Sequence, residues 1–202
     1  MSGDGDLAAL LARVRACRVC AGHLGHEPRP VLRVASSARL LIVGQAPGTR
    51  VHETGIPWND ASGDRLRQWL GLEPGIFYDE GRVAIVPMGL CFPGTDAKGG
   101  DRPPRPECAP LWHPPLRARL AEVRLTLLVG GYAQAFYLGA RRRATMTATV
   151  AAWRDYLPDF LPMPHPSWRN SHWLKQNPWF ETEILPELRR RVGELVVENR
   201  SA

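Results

Sequence analysis

Four short apolar runs stand out along the chain, at residues 39–43, 83–88, 125–129 and, more weakly, 160–163. Each is followed by Gly or Pro, as strands are where a chain turns away from a sheet. Between them apolar positions recur at helical spacing, around residues 63–70, 110–123 and 132–138. Upstream, Leu7, Leu10, Leu11 and Val14 share one face of a short amphipathic helix that runs into Cys17. Downstream, a long helix falls within residues 178–197, with Pro186 kinking or dividing it. Strand–turn–helix alternation of this kind predicts an α/β fold, a three-layer α/β/α sandwich around a central four-stranded, mostly parallel sheet. Ligands in such folds sit beyond the carboxyl ends of the strands. That rule gathers residues 44–48, 89–94 and 165–170 around one crevice.

Composition narrows the picture. The length of 202 residues suits one domain, 1–202, in which about 1–36 form an N-terminal helix and cysteine loop packed on the sheet. The 19 Pro and seven Trp imply much structured loop with aromatic rings at its tips. A net charge of +6 and a pI near 9.6 favour a polyanionic partner, although solubility alone also accounts for a charge of this size. The N-terminal stretch has acids before its apolar residues and no basic leader, and no run reaches the length of a membrane span. The expectation is a cytoplasmic, monomeric protein with no membrane association, in which four cysteines serve better as metal ligands than as disulfides.

The turn after the first strand, "GQAPG", contains no acid, base or Lys. Gly44 and Gly48 permit close backbone approach to a ligand and Pro47 stiffens the turn, but neither the P-loop nor the dinucleotide pattern is present. The next stretch, "HETGIPWNDASGDRLRQWLG", carries Trp58 stiffly mounted behind Pro57, with Asp60 or Ser62 placed to cap a helix. Trp58 can equally be a plug under the loop, and Asp60 a cap and nothing more. At the last strand end, "HPSWRN" holds His165 between two prolines, followed by Ser167, Trp168, Arg169 and Asn170.

Together these three segments resemble the uracil-DNA glycosylase superfamily, over roughly residues 17–179. The resemblance rests on a Gly-x-x-Pro-Gly turn, a Gly-x-Pro-aromatic stretch and a His-Pro-Ser loop, in that order. It implies an enzyme that hydrolyses the N-glycosidic bond of uracil in DNA, without a covalent nucleophile, as the first step of base excision repair. Gly44, Gln45, Ala46, Pro47 and Gly48 would line the base pocket with Trp58, Asn59, Met88 and Ser167, Trp58 replacing the usual stacking Phe. The first-turn acid of families one and four is absent: Ala46 and Gln45 occupy those places. Family five has an Asp just before Ser-Gly instead, matching Asp60, which becomes the water-orienting carboxylate, with Glu53 and Asp64 as fallbacks. His165 would donate toward the departing base.

DNA contacts would come from Trp168, Arg169, Asn170 and Lys175. Arg141, Arg142 and Arg143 are further candidates, for which a solvated surface role is equally good, as it is for Arg189–Arg191. Many superfamily members read the pyrimidine edge with an Asn after the second strand. Here the stretch is "VPMGLCFPG", with Pro87 and Met88, which points to broadened substrates such as hypoxanthine or xanthine. A second reading is a catalytically weak DNA-damage-binding protein on the same fold.

Cys17 and Cys20 form C-x-x-C, followed far downstream by Cys91 and Cys108. On spacing alone these are a metal site or buried thiols. They are similar in order to the cysteines of the iron–sulfur families four and five, and so imply a structural 4Fe–4S cluster. The alternative is zinc, held by the four thiolates or with help from His23 and His26.

Overall fold

The computed structural model describes residues 3–97 and 99–197. Its centre is a four-stranded sheet, β1 (Leu40–Val43), β2 (Val83–Ile85), β3 (Leu125–Val129) and β4 (Phe160–Met163), in the order β2-β1-β3-β4. All three strand pairings are parallel. Ten α-helices are described: α1 (Gly3–Arg15), α2 (Ala21–Leu24), α3 (Thr49–Thr54), α4 (Ala61–Leu70), α5 (Pro74–Phe77), α6 (Cys108–Arg117), α7 (Gly131–Leu138), α8 (Met146–Ala151), α9 (Ser171–Gln176) and α10 (Leu185–Val196). None is long and apolar enough to cross a membrane.

The strands are apolar throughout because both faces of the sheet are covered. Leu40, Ile42, Val83, Ile85, Leu127, Val129, Leu161 and Met163 point to one face, where α4 and α10 supply Leu66, Trp69, Leu188 and Val192. Leu41, Val43, Ala84 and Leu128 point to the other, against Leu10 and Val14 of α1, Trp112 and Leu116 of α6, and Ala133 of α7. The period-two alternation thus sorts the residues into two cores.

Two elements differ from their expected bounds. β2 stops at Ile85 rather than residue 88, because Pro87 has no N–H to continue the ladder. Single bonds persist beyond it, from Val86 N–H to Ile42 O at 3.0 Å and Met88 N–H to Gly44 O at 3.0 Å. α6 starts at Cys108 and ends at Arg117, two residues past Pro114 and Pro115, which supply no helical donors. The C-terminal helix is divided as expected: a π-helical turn, Phe180–Ile184, passes into α10, whose first turn accommodates Pro186.

Candidate active site

The cleft opens where β1 and β4 end. After Val43 the chain turns through residues 44–48 into α3, and two carbonyls of that turn are already committed. Gly44 O accepts from Met88 N–H, and Gln45 O accepts from Gly89 N–H at 2.9 Å. The turn is thereby stitched to the exit of β2, so that its shape is set before any ligand arrives.

Trp58 is held in a backbone conformation that only glycine adopts freely, with φ of 57°. Two donors and one close approach hold it there. Its carbonyl accepts from Arg67 Nη1 at 3.1 Å and from Tyr78 OH at 3.3 Å. That carbonyl lies so near Gly63 that a Cβ there would sit 1.7 Å from it. The indole rests on Gly44, where a Cβ would come within 2.7 Å of Cζ2. Both glycines are therefore dictated by the placement of one residue, Gly63 by its carbonyl and Gly44 by its ring. Trp58 packs half-buried against the core of the first face and also lines the cleft, tilted 33° to the His165 ring with centroids 5.4 Å apart.

Asp60 caps α4, its Oδ1 accepting from Gly63 N–H at 2.8 Å. It also lines the cleft. The cap uses one oxygen, and among the described residues the other has no hydrogen-bond partner. Asp60 thus has a structural role and an open valence at once.

His165 enters from the end of β4, fixed at three points. Asn170 Nδ2 donates to its carbonyl at 2.8 Å, and Gln134 Nε2 and Gly130 N–H both donate to Met163 O just before it. Its Nδ1 accepts from Ser167 N–H at 3.2 Å. A neutral imidazole arranged this way carries its proton on Nε2 and presents a donor. Burial lowers the His165 pKa, while the nearby Asp60 carboxylate opposes that shift. The neutral donor form is favoured accordingly.

The cleft, of about 290 Å³, brings together Gly44, Gln45, Ala46, Pro47, Gly48, Trp58, Asp60, His165, Ser167, Arg169 and Asn170. It leaves out four expected residues. Asn59 is half-buried beside it. Met88 is buried in the core on the second face, because alternation along the strand exit turns it away and gives the cleft Pro87 instead. Trp168 stands 72% exposed outside, with the Arg169 guanidinium 5.5 Å from its ring centre. Lys175 is exposed on α9. Of the fallback acids, Glu53 is exposed and Asp64 pairs with Arg67, and neither lines the cleft. Asp101, from the loop after β2, does line it and was not foreseen. No signal short of the fold marks Asp101, since it lies 41 positions beyond Asp60 in a polar Gly- and Pro-rich loop.

The family model for the uracil DNA glycosylase superfamily matches residues 33–189, most of the chain. The chain belongs to that superfamily. Apart from Val31, every residue that lines the cleft falls within the match, and membership suggests a DNA glycosylase. The match takes in the His165 loop and the first turn, and with them Asp60 at the mouth of α4.

The four cysteines are unpaired and surround a second, smaller cavity. Cys108 Sγ accepts from Leu90 N–H at 3.3 Å, and Cys91 accepts from the Arg29 backbone. Burial pushes the Cys91 thiol up to about 11 and the Cys108 thiol to about 12. Neither His23 nor His26 lines this cavity; the His26 ring packs on His52 and Phe92. Among the described residues, no three His, Cys, Asp or Glu side chains are gathered as a single metal ion would need. The other basic candidates are largely occupied. Arg143 pairs with Asp155, Arg141 lies over Tyr156, Arg189 donates to the Gln68 and Trp69 carbonyls, and Arg190 and Arg191 pair with Glu187.

Proposed function

We propose that the chain is a monofunctional DNA glycosylase that hydrolyses the N-glycosidic bond of uracil, and of other deaminated bases such as hypoxanthine or xanthine, in DNA. The observation that carries this reading is the facing pair in one cleft: a carboxylate with a free oxygen and a histidine holding a donor on Nε2. Breaking the bond leaves positive charge on the sugar and negative charge on the base. Asp60 stabilises the sugar cation and orients a water, whose oxygen bonds to the anomeric carbon as its proton passes to the Asp60 carboxylate. His165 Nε2–H donates to the base oxygen that gathers charge as the bonding pair departs with the base. Trp58 stacks on the extruded ring. Trp168 stands outside the cleft and Arg169 on its lining, where they can fill the vacated stack or hold the opposite strand, and Lys175 meets phosphate.

Cys17, Cys20, Cys91 and Cys108 would hold a 4Fe–4S cluster. Their convergence on one cavity supports this, as do two N–H···S bonds of the kind that tune such clusters. A tetrahedral zinc would draw sulfurs to within about 3.8 Å of each other, given a Zn–S distance of about 2.3 Å. When bound, the cluster supplies a structural pin and takes no part in the hydrolysis.

The test is excision from oligonucleotides carrying uracil, hypoxanthine or xanthine, read after cleaving abasic sites. Asp60→Asn is the informative variant, because Asn caps a helix as well as Asp does and the protein keeps its fold. Excision should fall at least about 100-fold in Asp60→Asn. Loss of the His165 donor in His165→Ala should cost a similar factor. Wild-type rates in Asp60→Asn would end this mechanism. Lesion binding by the wild type without excision of any base would leave a damage-binding protein in its place.

A further inference from the structure

Asp101 is unused by the chemistry above, yet it shares the cleft with Asp60 and His165. Its loop is self-braced. Residues Thr95 and Asp101 form an antiparallel bridge, Arg102 N–H donates to Gly94 O at 2.9 Å, and Asp96 Oδ1 accepts from Gly100 N–H at 2.9 Å. The carboxylate leans over the first turn: Oδ2 lies 3.5 Å from where a Cβ on Gly48 would be.

The rest of the wall offers acceptors that can also donate, on the Gln45, Ser62, Ser167 and Asn170 side chains. Asp60 and Asp101 are the carboxylates of the lining, and one Asp60 oxygen serves the helix cap. Deaminated bases share one feature that adenine and cytosine lack at the corresponding position: a ring N–H beside a carbonyl, in place of a lone pair beside an amino group. An ionised carboxylate accepts hydrogen bonds and cannot donate. It therefore binds the ring N–H and repels the lone pair.

We propose that Asp101 is the specificity residue of this site, accepting the ring N–H of an extruded lactam base. This rests on the glycosylase reading of the cleft. The contact forms when the base enters and gains nothing as the bond breaks, so it acts on binding more than on turnover. Partial burial raises the Asp101 pKa, reinforced by the Asp60 and Asp96 charges and opposed by Arg169. Base selection should consequently weaken at mildly acidic pH sooner than for an ordinary carboxylate.

The experiment compares wild type, Asp101→Ala and Asp101→Asn on single-stranded oligonucleotides bearing one uracil or one cytosine at the same position. Both excision and equilibrium binding are measured. The expected result is a KM for uracil raised roughly tenfold in Asp101→Ala with kcat within about twofold, the size of one charge-assisted hydrogen bond. Asp101→Asn, whose amide can also donate, should narrow the binding preference for uracil over cytosine. An unchanged KM together with an unchanged binding preference in both variants overturns the proposal. If the wild type excises nothing, the hydrolase reading fails by itself, and binding still decides: a uracil preference lost in Asp101→Ala supports the proposal. No preference in the wild type, or the same preference in Asp101→Ala, overturns it.

Discussion

The cleft and the cysteine cavity are neighbours built on one strand exit, and they handle polar atoms in opposite ways. Pro87 faces the cleft, while Gly89, Leu90 and Cys91 border the cysteines. Between them, Met88 and Gly89 N–H bind the first turn and Leu90 N–H binds Cys108 Sγ. In the cleft, one valence of Asp60 and of His165 is spent on holding the side chain and another is left facing the ligand. Around the cysteine cavity, four sulfurs line one small space with Pro28, Pro30, Leu90, Trp112 and Arg105, and burial raises the Cys91 and Cys108 thiols. The first arrangement suits a transient guest. The second suits a permanent one, whose charge would offset that of four thiolates.

The largest expected effect breaks the second region. Exchanging both Cys91 and Cys108 for Ser should abolish iron binding, read as iron per chain and visible absorbance of anaerobically purified protein. Binding of the proposed cluster would also be folding free energy, so on that reading the loss should exceed about 3 kcal/mol, or about 10 °C in Tm. His165→Ala, by contrast, should leave Tm nearly unchanged while excision falls. Equal melting of the double variant and wild type would show that the cavity holds nothing structural.

Next in size is Gly63→Ala. Its Cβ would collide with the Trp58 carbonyl, so the cap of α4 and the Trp58 backbone cannot both persist. Stability should drop by about 3 kcal/mol, at the upper end of overpacking costs, and excision should fall with it. Thermal melting alongside excision checks both.

Behind the cleft wall, His113 Nε2–H donates to Pro87 O at 3.1 Å, and its Nδ1 accepts from Tyr137 OH at 2.7 Å. Burial lowers the His113 pKa to about 4. The unfolded chain takes up this proton near pH 6.5 and the folded chain only near 4. Stability from this group is therefore complete above about pH 6.5 and falls as the pH drops toward 4, by about 3 kcal/mol over the whole window. His165, also lowered, acts in the same direction. Denaturant melts at pH 7, 5.5 and 4.5 should show the decline, and His113→Gln should flatten it. A pH-independent wild type would contradict the buried pair.

The layered fold was legible in the sequence because fully buried parallel strands read as unbroken apolar runs, and four such runs are the whole sheet. The rule of ligands beyond strand ends also gathered residues of 44–48 and 165–170 at one cleft, but of 89–94 none lines it: Gly89, Leu90 and Cys91 border the cysteine cavity instead. Asp60 was marked only by the resemblance to the superfamily. Legibility failed where side-chain direction depends on register. Met88 and Pro87 are adjacent in sequence and face opposite cores, which composition cannot reveal. Asp101 was hidden for a different reason: it reaches the cleft through a loop whose path is set by its own hydrogen bonds and by glycines such as Gly94, with φ of 86°. The α3 and α8 helices, six residues each, are too short to leave a periodic signature.

The smallest effect sharpens the boundary of the cleft. Among the described residues Trp168 is the most exposed of the large apolar side chains, with the Arg169 guanidinium over its ring. Truncating it removes almost no buried area, so Trp168→Ala should leave Tm within about 1 °C. In the absence of DNA, an exposed indole gains nothing for the fold, and its value must lie in what it touches later. If it stacks in or beside the duplex, binding should weaken by about 1–3 kcal/mol per stacked base, and salt dependence should stay the same because no phosphate contact is lost. Arg169→Ala should instead reduce the salt slope by about one unit. Titrating both variants against a uracil-bearing duplex at two salt concentrations separates the ring from the charge. A Trp168→Ala variant that binds like the wild type would confine recognition to the cleft itself.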